Sequence, residues 1–127
     1  MVNTKWKKEL KNTLNLIPYI SNPNIGENYF EFIFLPNGKD GKQTELRKNK
    51  LEKLINTIKE RVSLNAPIDI KVENQEINGK TKYTIKAIPY SYFNYSGDKA
   101  DLFNNSAKLL CGIIKDYLYC VERIKKV

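Results

Sequence analysis

The chain contains no histidine. That removes Ser-His-Asp and Cys-His catalysis, imidazole acid–base chemistry and histidine metal sites. Cysteine is almost as scarce, with only Cys111 and Cys120. They lie nine residues apart in a stretch that reads as one helix. Nine steps of 100° put them on opposite faces, about 13.5 Å apart along the axis. A disulfide needs Cα atoms within about 7 Å, so the pair cannot close inside that helix. Two such thiols build no structural zinc site, and Cys111 reads as a small apolar filler. Long apolar runs are missing too, and nothing approaches the roughly 20 residues of a membrane span. The first ten residues, MVNTKWKKEL, carry positive charge with no signal-peptide-like apolar stretch behind them. The expectation is a cytoplasmic protein with no membrane partner. Glycine is sparse, and the short runs SNPNIGE and PNGKDGK lack the spacing and Gly-Lys-Ser/Thr ending of a phosphate-binding P-loop. No cofactor is implied.

What is present is the material of one globular domain spanning 1–127. Hydrophobic residues make up 41% and charged residues 28%, enough for a core without disulfide or metal support. The net charge is +8, which draws a domain towards polyanions: nucleic acid, a membrane surface or an acidic protein. Lysine, asparagine and isoleucine supply 19, 15 and 14 residues. These types have A/T-rich codons, so part of the lysine excess reflects codon composition, and an AT-rich bacterium, its phage or a plasmid is the expected source. Arginine, the residue suited to bidentate contacts with phosphate and guanine, occurs three times.

Along the chain, Trp6, Leu10, Leu14 and Ile17 recur at helical spacing and predict an amphipathic helix over 4–17, stopped by Pro18. Residues 18–28, with two prolines and a glycine, read as a loop. The run YFEFIFL, 29–35, reads as a central strand covered on both faces. Leu51, Leu54, Ile55, Ile58 and Val62 form the stripe of a helix over 44–62. Two alternating runs then flank Asn78-Gly79, the favoured centre of a type I′ hairpin. A two-residue loop fixes the register, so opposed residues sum to 157: Ile77 with Lys80, Val72 with Ile85, Lys71 with Lys86. Residues 89–97 are an aromatic-dense turn. From about Asp98, which can cap it with Asp101 in its first turns, a long helix runs to about Ile124.

The expected fold is therefore α+β in the order α-β-α-β-β-α, a three-stranded, mostly antiparallel sheet packed against helices. Breaking the last helix near Asp116 gives a variant, a ferredoxin-like β-α-β-β-α-β core with an extra N-terminal helix.

Three surfaces invite function. The segment Lys39–Lys53, with Arg47 and Lys48, pairs a glycine-containing loop with a basic helix that could grip phosphates. The wet hairpin face carries Lys71, Lys82 and Lys86, with Tyr92 in the neighbouring aromatic run. Lysines beside rings are how single strands are held, bases on rings and backbone on lysines. The N-terminal helix reads mainly as docked on the domain's own core. One enzymatic pattern also stands out. Asp69-Ile70-Lys71 resembles the acid-x-Lys step of restriction-endonuclease-like nucleases, which implies Mg²⁺ held by carboxylates such as Glu31 or Asp40. The Pro-Asp step that precedes it in that family is absent.

The sequence thus predicts a small, basic, non-enzymatic nucleic-acid-binding or regulatory protein, favouring single strands, with Lys71, Lys82, Lys86, Arg47, Lys48 and Tyr92 as contacts. The alternative is a protein-binding module, such as a phage-encoded inhibitor or assembly factor, working against an acidic protein. A Mg-dependent nuclease is the third.

Overall fold

The computed structural model describes residues 5–36, 46–65, 68–89 and 106–120. The elements run α1 (Lys5–Leu14), β1 (Ile20–Ile25), β2 (Tyr29–Phe34), α2 (Leu46–Asn65), β3 (Ile68–Ile77), β4 (Lys80–Pro89) and α3 (Ala107–Cys120). The four strands form one antiparallel sheet in the order β1-β2-β4-β3. The α+β class stands, but the three-stranded sheet does not. The added strand is β1, which lies inside the segment expected to be a loop. Its turn-like residues are absorbed by a bulge: the register with β2 shifts between Ser21 and Asn24, and Asn22 adopts φ 52°. One extra residue lets a strand carry Pro23 and a left-handed Asn without losing its partner.

The ferredoxin-like variant is also overturned. Tyr117–Cys120 stay helical within α3, so the stretch that variant turns into a strand begins as helix. Asp98, Asp101 and residues 121–124 lie outside the described residues.

The second hairpin follows the sequence register without a slip. All ten pairs of β3 and β4, from Ile68–Pro89 to Ile77–Lys80, match the sum of 157. Asn78 and Gly79 adopt φ 50° and 78°, as a type I′ turn requires. A Cβ at Gly79 would meet nothing, so the glycine is there for its backbone, not for space. β2 is central, as expected, but it is not equally covered on both faces. Phe30, Phe32 and Phe34 are buried while Tyr29, Glu31 and Ile33 are half-buried, which is strict alternation.

The buried face of the sheet gathers Ile20, Phe30, Phe32, Phe34, Ile68, Ile70, Tyr83, Ile85 and Ala87. Phe32 and Tyr83 stack with centroids 5.7 Å apart, and Phe34 meets Tyr83 edge-on at 6.5 Å. Against this face lie the helical stripes. Trp6, Leu10 and Leu14 come from α1, with Ile17 just beyond it. Leu51, Leu54, Ile55, Ile58 and Val62 come from α2, and Leu110, Ile113, Ile114 and Leu118 from α3. The N-terminal helix is thus docked on the domain's own core. α3 packs against both other helices, α1 against β1 and α2 against β3. The layer order is therefore α1-α3-α2. One hydrogen-bond chain ties it together: Tyr19 Oη donates to Tyr117 Oη (3.0 Å), which donates to the Lys50 carbonyl (3.0 Å). Both cysteines are free on α3, Cys111 buried and Cys120 exposed.

Candidate polyanion-binding surfaces

The strands turn a second face away from the helices. Register places its residues in rows. One row reads Tyr29, Lys86, Lys71 from β2 through β4 to β3. The next reads Glu31, Thr84, Glu73, and the third Ile33, Lys82, Gln75. Lys71, Lys82 and Lys86 thus share this face. The β2–β4 pairing adds Tyr29 directly beside Lys86, a ring that the sequence reading did not assign. Gly26 sets that ring: a Cβ there would run into the Tyr29 side chain.

The same pairing also brings acids. Glu31 Oε2 lies 3.5 Å from Lys82 Nζ, and its other oxygen accepts from Asn24 Nδ2 at 3.2 Å. Lys71 Nζ lies 3.5 Å from Glu73 Oε1. The unfavourable Lys71–Lys86 juxtaposition is thereby relieved on one side, and two of the three lysines are ion-paired within the sheet.

Arg47 and Lys48 are elsewhere. They occupy the first turn of α2, in the helix layer on the other side of the sheet. The expected contact residues therefore form two groups separated by the sheet, not one site. Tyr92 lies outside the described residues, as does the loop that precedes α2.

Counting charge by element shows a sharper division. Among the described residues, the three helices hold twelve Lys and Arg against four Asp and Glu, whereas the four strands hold four of each. The positive charge belongs to the helix layer. None of the three described helices has an acid in its first turn. Instead α1 opens with Lys5, Lys7 and Lys8, α2 with Arg47 and Lys48, and α3 with Lys108. Cations at the positive end of a helix dipole cost about 0.3–1 kcal/mol each at low salt, so this placement runs against helix stability three times over. Lys108 and Lys115 on α3, both exposed, escaped the sequence reading, which weighed charge runs rather than charge per element. On α1, Lys7 lies over the Trp6 ring at 5.7 Å, while Lys5, Lys8 and Lys11 are exposed.

Between the outer flank of α2 and the inner face of the β3–β4 hairpin runs an open polar groove of about 490 Å³. Lys48, Glu52, Asn56 and Lys59 line one wall, and Asn74, Glu76, Thr81 and Tyr83 the other. Burial pushes the Tyr83 phenol up from its ordinary value, and the nearby Glu52 and Glu76 carboxylates push it the same way. In the helix layer, burial likewise raises the Cys111 thiol, with a hydrogen bond to Thr13 and the Lys115 charge pulling part of the way back.

The nuclease-like residues do not converge. Asp69 lies on β3 and Glu31 two strands away on β2, four residues along the sheet. Strand spacing and rise place their backbones roughly 16 Å apart, too far to share one ion. The Asp69 carboxylate instead accepts from the Ile70 N–H at 2.9 Å. Asp40 lies outside the described residues. Among those residues, no cluster of three acids and cysteines could hold a metal, and no helix is long and apolar enough to cross a membrane.

Comparison with protein-family models, with curated proteins and with solved structures finds no match for this chain.

Proposed function

We propose that this protein binds nucleic acid by its phosphates, through the outer surface of the helix layer, without catalysing a reaction. The observation that carries this reading is the division of charge: a basic helix layer behind a sheet whose charges balance. α3 lies between α1 and α2, so Lys8 and Lys11, Lys108 and Lys115, and Lys50 and Lys53 stand on three neighbouring ridges. Such a surface neutralises successive phosphates and gains by releasing their counterions. The helix N-termini add backbone N–H groups, and their lysines cease to be unfavourable once an anion faces them. With Arg47 and Arg61 the only arginines described, base reading contributes little.

The row Tyr29, Lys86, Lys71 supports a second reading, in which the open sheet face holds a single strand by stacking on Tyr29. Fluorescence anisotropy with labelled single- and double-stranded DNA and RNA at two salt concentrations separates the two. Lys53→Glu with Lys108→Glu should weaken binding about tenfold or more near physiological salt and flatten the salt slope by about two contacts. An acid suits the first turn of α3, so Lys108→Glu does not act by unfolding. Lys86→Glu places an acid opposite Lys71, preserves the fold and should leave binding intact. The opposite pattern, loss with Lys86→Glu alone, moves the site to the sheet. Binding that vanishes at physiological salt in the wild type refutes both and leaves an acidic protein as the partner to seek.

A further inference from the structure

Among the described residues, no strand pairs with the outer edge of β3, and the chemistry of that edge identifies what would close it. In a two-residue hairpin the flanking residues Ile77 and Lys80 exchange both hydrogen bonds, and the pattern alternates from there. Glu73, Gln75 and Ile77 therefore bond to β4, while Ile70, Val72, Asn74 and Glu76 turn their N–H and C=O groups outwards. The Asp69 carboxylate takes the outward N–H of Ile70. Among the described residues, no strand takes those of Val72, Asn74 and Glu76.

We propose that a second copy of this chain pairs here, β3 antiparallel to β3, about a two-fold axis at Val72. The register follows from charge. Centred on Val72, Lys71 of each copy lies opposite Glu73 of the other, twice over, in the closely spaced type of antiparallel pair. Centred on Lys71, lysine meets lysine and Asp69 meets Glu73. Centred on Glu73, glutamate meets glutamate. Centred on Asn74, Lys71 meets Ile77 and no unlike charges oppose. Centred on Ile70, Asp69 meets Lys71, but the central pair needs the Ile70 N–H that Asp69 already holds. With Val72 at the centre, the two Val72 residues exchange two bonds, and each Asn74 N–H reaches the Ile70 carbonyl of the other copy.

The fold leaves room for this. α2 packs over the inner face of β3, and an open groove separates its flank from the hairpin, so the outward backbone groups of β3 lie beside a groove rather than under a helix. The net charge of +8 opposes association, but charges more than about 8 Å apart are largely screened at physiological ionic strength, and the local pairs decide. A closed two-fold pair also removes the exposed edge, a standing aggregation liability. This inference does not rest on the nucleic-acid reading, and mass alone tests it.

Light scattering behind size exclusion, at about 100 µM in the eluting peak and physiological salt, holds nearly all chains in a dimer whose dissociation constant is about 1 µM or tighter. The wild type should show twice the chain mass of 14.8 kDa. Asn74→Pro should return it to single-chain mass with an unchanged circular-dichroism spectrum, because proline there removes only an outward N–H. Lys71→Glu and Glu73→Lys should each give single chains. The double variant Lys71→Glu/Glu73→Lys should restore the dimer, as should mixing the two single variants. A wild type that remains a single chain overturns the proposal. So does a dimer untouched by Asn74→Pro, or a charge swap that fails to restore pairing.

Discussion

The two edges of the sheet are built by opposite means. β1 spans six residues, carries a bulge at Asn22 and Pro23, and shifts register halfway along its partner. β3 spans ten residues and holds one register from end to end. A bulge and a proline blunt an edge against further pairing, whereas a regular edge remains a template. Among the described residues, β3 is the edge built regularly enough to extend, and its outward backbone groups stand beside complementary charges.

The comparison depends on β4 and β2 holding the two edges in a single sheet. Ile85 is the place to break it. It is fully buried, faces Phe30 on β2 and Val72 on β3, and joins the halves of the core. Ile85→Ala should cost about 2–5 kcal/mol. Urea unfolding followed by circular dichroism should show the whole transition moving to lower midpoint. Loss confined to one hairpin would mean that the halves fold separately.

Neighbouring prolines on β3 sharpen the contrast between its inward and outward groups. Glu73→Pro removes a bond to Thr84 and should cost about 1–3 kcal/mol by stranding a carbonyl inside the sheet. Asn74→Pro, one residue on, spares the ladder and should cost the single chain less than 1 kcal/mol. Equal losses in the two variants would show that the bonding alternation along β3 is not the one derived from its hairpin turn.

How much of this was legible in the sequence differs between the hairpins. The second was readable to the last pair because Asn78-Gly79 fixes a two-residue turn, and the turn fixes everything beyond it. The first was hidden by its own bulge. Asn22, Pro23 and Asn24 look like loop chemistry, and only pairing with β2 makes them a strand. The surfaces followed the same rule. That Lys71 and Lys86 adjoin could be read from the hairpin. That Lys82 is ion-paired to Glu31 depends on the β2–β4 register, which no local signal encodes. The total charge was visible from composition. Its division between helices and sheet was not, because a strand lysine is balanced by residues far away in the chain.

Two places with left-handed backbone, the hairpin turn and the β1 bulge, allow a smaller test. Gly79 has φ 78° with open space around it, so Gly79→Ala is strained by backbone alone and should cost about 1–2 kcal/mol. Asn22 has φ 52° in the bulge, and glycine adopts that geometry freely. Asn22→Gly should change stability by no more than about 0.5 kcal/mol. A large loss at Asn22 would mean that its side chain, not its backbone, holds β1 in the sheet.

The smallest effect distinguishes the edges by their electrostatics. The β3 side carries Tyr83 in a groove with Glu52 and Glu76. Burial first, then these two carboxylates, raise its phenol above the ordinary tyrosine value of about 10. A phenol with a raised folded value favours the folded state while protonated. That contribution is complete below the unfolded value and is lost as pH rises through the folded one, so it weakens stability only in strongly alkaline solution. Ultraviolet titration of the wild type against Tyr83→Phe isolates this group. Glu76→Gln should lower its titration point by a small step, since burial is the larger cause and remains. The Thr81 hydroxyl that donates to Glu76 Oε1 can still donate to the amide oxygen, so the change reports charge rather than lost structure. A titration point that does not move would place the Glu76 carboxylate away from the phenol and open the groove wall that it forms with Thr81.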